Sequence, residues 1–327
     1  MAINYTPDQL QATIAYKTKG FTDQVALSSP LVKFLKSVEG GYRKVPGGTC
    51  IEERIRVGEN KNFFWTRSTK DKLLVGADNL FLTARFDWGI CKGGIQLNDM
   101  DKALNSEGST RIFNLIDDQI RDMKMSASKF LNEAIFGGDL TNVENPAFDG
   151  LQKLIADDPR NGVVGGIDRA IVEVWRNKYR QVVVAGANPT PDQLYKNMSE
   201  MLDEINVGTE IYPSIILIAK DLYTIFRDTA AAKTSIVSMS PSTINLGSKD
   251  LTIQGIPVVP VYNCPSKHAY FLNSGGLRFN AVNNFDFSVK NEGRSALDTA
   301  EIWACQFIGN LSLTSARTQG VLYYTAP

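Results

Sequence analysis

The sequence predicts a mixed α+β fold, and three observations carry that reading. Two stretches, near residues 51–57 and 80–88, alternate apolar and polar residues with the period of two of half-buried strands. One uninterrupted segment, Ser109 to Phe136, repeats its apolar residues every three or four positions, the period of an amphipathic helix. Beyond it, strand-like and helical runs follow in irregular order, which excludes the strict alternation of a doubly wound sheet or a barrel of parallel strands.

Taken in order, residues 1–30 are polar and mixed, with Pro7, Gly20 and Pro30 and no sustained period, so they are expected to form an arm that gains order by lying on something else. Ile51, Ile55 and Val57 then share one face against Glu52, Arg54 and Arg56. Leu80, Leu82, Ala84, Phe86 and Trp88 alternate with Thr83, Arg85 and Asp87, and the two runs suit the arms of one long hairpin. The stretch between them, Gly58 to Asn79, is too long for a turn and carries Lys61, Phe63, Phe64, Trp65, Arg67, Lys70, Asp71 and Lys72. A two-stranded ribbon is marginal alone in water, so it needs a partner surface.

The helix has Ile112, Ile116, Ile120, Met123, Ala127, Phe130, Leu131 and Ala134 on its stripe, Ser109 or Thr110 as cap, and Gly137 and Gly138 as stop. Its opposite flank carries Asp117, Asp118, Arg121, Asp122, Lys129 and Glu133, expected to face solvent or another subunit. Phe148 to Arg180 reads as loop-rich. Thr190 to Asn206 reads as a second helix, with Pro191 at its first position. A buried strand, Ser214 to Ala219, leads to a short helix, Lys220 to Arg227. Strand-like runs follow at Leu251–Val261, His268–Leu272, Leu277–Phe279, Phe285–Val289, Ile302–Leu313 and Gly320–Thr325.

Composition excludes several function classes. The 327 residues are 43% hydrophobic and 21% charged, as in ordinary globular chains, and the length admits two compact units or one elaborated one. Lys plus Arg equals Asp plus Glu at 35 each, so there is no basic excess of the kind that grips nucleic-acid phosphates. Cys50, Cys91, Cys264 and Cys305 form no CxxC pair and are read as reduced packing thiols of a cytosolic product. The first ten residues lack the pattern of a signal peptide. No stretch approaches the roughly 20 apolar residues of a membrane span, so no membrane partner is expected.

Catalytic signatures are missing as well. With one histidine, His268, no mechanism or metal site needing two imidazoles is open to the chain. There is no phosphate loop, no GxGxxG after a strand and no GxSxG elbow, so no cofactor is expected. Asp157 and Asp158 beside Pro159 are the nearest approach to a carboxylate site, and they read as turn residues.

The order of parts, arm, charged hairpin, long helix, α/β middle and strand-rich end, resembles the tailed-phage major capsid proteins of the Hong Kong 97-type fold. Local sequences carry the resemblance further: Phe148-Asp149-Gly150-Leu151-Gln152, Ala156-Asp157-Asp158-Pro159, Gly165-Gly166-Ile167-Asp168-Arg169 and Trp175-Arg176-Asn177 are similar to a run that follows the long helix in one branch of that family. Tyr212-Pro213, Asn263-Cys264-Pro265, Tyr270-Phe271-Leu272-Asn273 and Gly309-Asn310-Leu311 are similar to family sequences too.

The resemblance implies an arm at 1–30, the start of a peripheral domain at 31–100 with an extended loop at about 50–90, and a spine helix at 101–144. It further implies an axial domain at 145–275, and final strands, 276–327, that return to the peripheral and axial sheets. It implies a structural protein, not an enzyme, that forms pentamers and hexamers and closes into an icosahedral virion capsid, assembled in the host cytoplasm and enclosing double-stranded DNA without sequence-specific binding. Portal and scaffold or decoration proteins are the implied partners. Residues expected at subunit interfaces are Lys61, Phe64, Trp65, Arg67, Lys70, Asp71, Lys72, Asp118, Arg121 and Asp122. An encapsulin-like nanocompartment shell is the alternative, and a soluble enzyme of an unrelated α+β fold the distant one.

Overall fold

The computed structural model describes residues 29–58, 65, 80–98, 109–184, 188–206, 211–232, 251–294 and 300–325. Helix α1 (Pro30–Ser37) leads into β1 (Tyr42–Val45), β2 (Ile51–Arg56), β3 (Phe81–Phe86) and β4 (Gly89–Asn98), and then into the long helix α2 (Ser109–Gly137). A single turn, α3 (Leu151–Leu154), precedes the small hairpin of β5 (Val163–Val164) and β6 (Ile167–Asp168), and then β7 (Lys178–Val183). The middle continues through α4 (Pro191–Asn206), β8 (Ile215–Ala219), α5 (Lys220–Ala232), β9 (Thr252–Ile253), β10 (Ile256–Val261) and β11 (His268–Leu272). Strands β12 (Leu277–Val282), β13 (Ser288–Arg294), β14 (Ala300–Leu313) and β15 (Gly320–Thr325) follow.

Strand β8 shows how the middle is built. All five of its residues are buried, and successive side chains point to opposite faces of a sheet. Ile216 and Ile218 join Leu194, Met198, Met201, Leu202 and Ile205 of α4 and Leu222 and Phe226 of α5 in one core. Ile215, Leu217 and Ala219 join a second core with Phe136, Trp175 and Tyr270. Each fully buried aliphatic side chain contributes roughly 1.5–3 kcal/mol of transfer free energy, so one unbroken apolar strand fixes cores on both sides. The sheet runs β7-β15-β11-β8-β10-β9. The start of α4 is set by a reciprocal capping box: the Gln193 amide donates to Thr190 Oγ1 at 3.4 Å, and the Thr190 amide donates to Gln193 Oε1 at 3.2 Å.

The other sheet is organised on β14. Strand β4 pairs with Ala300–Gly309, β13 with Glu301–Gln306 and β12 with Gly309–Leu313, while β1 lies parallel to β12. Phe148, Phe279, Phe287 and Phe307 meet on this sheet at centroid distances of 4.5–6.4 Å, in the range of favourable ring pairs.

Helix α2 is about 40 Å long at 1.5 Å per residue. Ile120, Met123, Leu131, Ile135 and Phe136 are buried on its stripe, with Ala127 and Ala134 half-buried. It stops where expected, and the backbone explains the stop. The Gly138 amide donates to Ala134 O at 3.0 Å, and a Cβ on Gly138 would lie 2.2 Å from Phe148 O, a space no side chain can share.

Several expectations need correction. Phe130, assigned to the buried stripe, is exposed, because it sits one step from Leu131 and turns to the edge of the stripe. The strand expected at Phe285–Val289 begins instead at Ser288, since Asn284 and Phe287 take left-handed φ values of 65° and 50° that break an extended run. Leu251–Val261 is two strands split by a turn at Gln254 and Gly255. The helix at Lys220 runs to Ala232, five residues past its expected end at Arg227. The loop-rich stretch to Arg180 contains the first half of β7, and α1, β1 and β4 were not anticipated. No helix among the described residues is long and apolar enough to cross a membrane.

Candidate assembly surfaces

The hairpin of β2 and β3 pairs Ile51 with Phe86 at its base and Arg56 with Phe81 at its outer end. On β3, Ala84 and Phe86 are buried whereas Phe81 and Leu82 at the outer end are exposed; on β2, Ile51 and Ile55 are both buried. Strand β2 alternates as expected, with one departure: Glu53 lies on the buried face between Ile51 and Ile55. Glu53 Oε2 accepts a hydrogen bond from Arg278 at 2.8 Å, and Oε1 accepts one from Ser312 at 3.0 Å. Asn280 donates to Ser312 Oγ at 2.8 Å. A buried carboxylate is tolerated only when so paired, and this network ties the ribbon to β12 and β14.

A second fastening comes from the turn between β5 and β6. Gly165 has φ +61°, its carbonyl accepts from the Arg85 amide at 2.9 Å, and a Cβ there would sit 2.8 Å from Ala84 Cβ and 3.0 Å from the Phe86 ring. Only glycine lets the turn approach β3 this closely.

Helix α2 and strand β4 enclose an open groove of about 430 Å³. Met123, Ala127, Phe130, Phe287 and Phe307 give it an apolar floor, and Asp118 and Asp122 stand at its rim. A second hollow of about 220 Å³ shares Cys91, Ala127, Phe130, Phe287 and Phe307 with it, so the two form one trough along α2. Met123, Phe287 and Phe307 are buried beneath it, whereas Phe130 and Ile90 are exposed at its edge, apolar surface of the kind found at contact sites.

Of the expected interface residues, Asp118, Arg121 and Asp122 are exposed on α2, and Asp118 and Asp122 share the groove. Trp65 is fully exposed. Lys61, Phe64, Arg67, Lys70, Asp71 and Lys72 lie outside the described residues, as does nearly all of the arm.

Partly exposed charged clusters were missed. Lys153 Nζ donates to Asp139 at 2.7 Å and to Asp149 at 2.6 Å, locking α3 to the end of α2. The Lys153 bond, helped by Thr141, holds the Asp139 carboxyl down at about 2. Arg180 bonds Glu204 at 2.8 Å and also Glu200, joining β7 to α4. His268 stacks on Tyr323 at 5.5 Å and on Tyr270 at 6.3 Å. Both its ring nitrogens face acceptors, Asp157 Oδ2 at 3.0 Å and Ser266 O at 2.7 Å. Burial by itself would lower the imidazole pKa, but these bonds raise it. Asp157 is therefore a tether as well as a turn residue. Cys264 and Cys305 are buried as expected of packing thiols, whereas Cys91 is exposed, and all four cysteines are free. No group of three metal-ligating side chains occurs among the described residues.

No protein-family model and no curated protein matches this chain. Solved structures do. The cyanophage A-1(L) capsid asymmetric unit superposes on 90% of this chain and 92% of its own, with a TM-score of 0.66 at 15% identity. The chain has the Hong Kong 97-type capsid fold. The capsid of a native GTA particle is similar over 90% of both chains, with a TM-score of 0.57 at 11% identity. The holo-SrpI encapsulin complex from Synechococcus elongatus PCC 7942 covers 89% of this chain and 86% of its own, with a TM-score of 0.52 at 14% identity. The ribbon, the trough along α2 and the six-stranded sheet belong to one chain: β2 and β3 pack on β14, Cys305 and Phe307 of β14 line the trough, and β15 lies in the six-stranded sheet.

Proposed function

We propose that this chain is a major capsid protein that self-assembles through pentamers and hexamers into an icosahedral shell enclosing phage double-stranded DNA. The observation that carries the reading is the capsid fold, with Phe81 and Leu82 exposed at the outer end of the ribbon, Trp65 exposed in the stretch between its strands, and Phe130 exposed on a trough along α2. A ribbon and a trough on one protomer are complementary between copies, which is the head-to-tail arrangement that generates rings. In this reading residues 58–79 lie over the adjacent subunit, Trp65 enters the trough along α2, and Lys61, Arg67, Lys70 and Lys72 meet Asp118 and Asp122 at its rim while Phe64 and Asp71 complete the contact. Arg121 faces a neighbouring copy.

The domain roles follow. Residues 1–30 are the arm, 31–100 begin the peripheral domain, 101–144 form its spine, 145–275 are the axial domain around five-fold and six-fold positions, and 276–327 return to both sheets. The protein resides in the virion capsid after assembly in the host cytoplasm, with portal and scaffold or decoration proteins as partners. No catalytic role is proposed.

Size-exclusion chromatography followed by negative-stain electron microscopy tests the proposal. Rings, tubes or closed shells are expected, and a monomer or dimer at high concentration under every salt and crowding condition refutes it. The likeness to an encapsulin supports a second reading, a nanocompartment shell. Nuclease-protected DNA inside purified particles favours the first reading, and co-purifying protein cargo the second.

A further inference from the structure

The loop after α3 is dense in guanidinium groups, although the acids and bases of the chain balance at 35 each. Arg169 is 1% exposed, bonds the Leu154 carbonyl through Nη2 and leaves Nε without a partner. Burial draws its pKa down to about 10. Arg176 is braced in front of it, Nε donating to Arg169 O at 2.7 Å, Nη2 to Ala170 O at 2.8 Å and Nη1 to Glu173 at 3.2 Å. Arg160 bonds Asp158 at 2.8 Å and lies 5.7 Å from the Tyr179 ring centroid. Together with Lys178 and Arg317, Arg160 and Arg176 line an open cleft of about 470 Å³ whose one acidic lining residue, among the described residues, is Glu173. Four cations line the cleft against Glu173, with Asp158 bonded to Arg160 beside it.

We propose that this cleft is an anion site that takes backbone phosphates of the double-stranded DNA held inside the shell, an inference that rests on the capsid reading above. Guanidinium forks match phosphate oxygens, and two of these forks are already fixed by their neighbours, so little side-chain freedom is lost on binding. The apolar and aromatic lining is Pro159, Val174 and Tyr179, a small area on which to anchor peptide side chains, whereas a phosphate needs none. The site reads charge and not sequence, which agrees with a shell that holds any DNA.

The test is fluorescence anisotropy of a 20-base-pair duplex with the purified, unassembled chain between 50 and 300 mM NaCl. Wild type, Lys178→Gln with Arg317→Gln, the single Arg317→Gln, and a control pair, Lys196→Gln with Arg227→Gln, are compared at matched thermal midpoints. Each phosphate contact contributes about 0.9 to the slope of log K against log salt. The site pair is expected to lower the slope by about 1–2 and weaken binding at least tenfold at 50 mM salt, the single variant by about half as much, and the control pair by neither. Equal slopes for the site and control pairs overturn the inference. Poly-glutamate binding tighter than duplex at equal charge concentration and salt, and lost in the same variants, assigns the cleft to an acidic protein and overturns it too. Electron microscopy of the same samples separates the two readings: normal shells with a wild-type slope in the site variant remove the cleft alone, whereas a wild-type chain that never forms particles removes the capsid reading.

Discussion

Removing the Glu53 carboxylate tests what holds the ribbon to the body. Its side chain is 8% exposed, bridging Arg278 and Ser312, and its partner Arg278 is 24% exposed. Glu53→Ala strands a guanidinium and a buried hydroxyl. Breaking a buried pair from one side costs about 3–5 kcal/mol, and the water that still reaches Arg278 reduces the expected loss to about 2–4 kcal/mol. Glu53→Gln keeps the shape and one acceptor oxygen while losing the charge, so it is expected to cost about 1–2 kcal/mol. Replacing both partners, Glu53→Met with Arg278→Met, removes the stranded charge and is expected to fall within about 1 kcal/mol of wild type. Urea unfolding of the unassembled wild type, Glu53→Met, Arg278→Met and the double variant gives the four corners of the cycle. A Glu53→Ala loss below about 1 kcal/mol, or single-variant losses that simply add, would refute the argument that this pair fastens the ribbon.

Three further outcomes are expected. Gly165→Ala puts a methyl 2.8 Å from Ala84 Cβ at a φ of +61°, so it is expected to lower stability by about 1–3 kcal/mol in thermal unfolding, with hydrogen exchange rising first at the Arg85 amide. The folded pKa of His268 is raised above 6.5, so the stability it contributes is present below that value and is lost as pH rises through the higher folded value. Urea midpoints from pH 5.5 to 9 should show this fall in wild type and a flatter profile in Asp157→Asn; one NMR titration of the sole histidine checks the pKa directly. Trp65→Ala is expected to leave the unfolding midpoint unchanged and to raise the concentration needed for assembly roughly thirtyfold, the effect of a 2 kcal/mol anchor, as read by light scattering.

Periodic segments were legible and paired charges were not. The stripe of α2, the faces of α4 and the unbroken apolar run of β8 follow from spacing alone, because burial of one face or of both imposes a period on the sequence. Glu53 carries no such signal. A lone acid inside an alternating strand reads as a lapse in the pattern until Arg278, more than two hundred residues away, is brought to it. The same holds for His268 and Asp157, separated by 111 positions. Strand β4 escaped notice because Gly93 and Gly94 interrupt its alternation, and its pairing along β14 outweighs that weakness. Phe285–Val289 misled because apolar composition suggests a strand, while the backbone at Asn284 and Phe287 turns left-handed. The trough could not be found from sequence at all. Phe130 looks like a core residue, and only packing against β4 leaves it at an open edge.

How polar and apolar residues are divided along the ribbon bears on how such a protomer would assemble. Its base is held by ionised and hydrogen-bonded groups that are satisfied within the chain, so it is committed before any partner arrives. Its outer end, with Phe81 and Leu82, and the trough with Phe130 leave apolar surface unsatisfied within the described chain. In the proposed shell, stability of the fold and attraction between copies would therefore be carried by different residues. Weak contacts repeated around a ring can then be made and unmade while the protomer stays folded, which lets a growing shell correct misplaced copies before many simultaneous contacts make the closed particle hard to take apart. That separation is why Trp65→Ala should move assembly without moving unfolding, and why Glu53→Ala should do the reverse first. A variant in which both shift together would mean that the ribbon folds only against its neighbour.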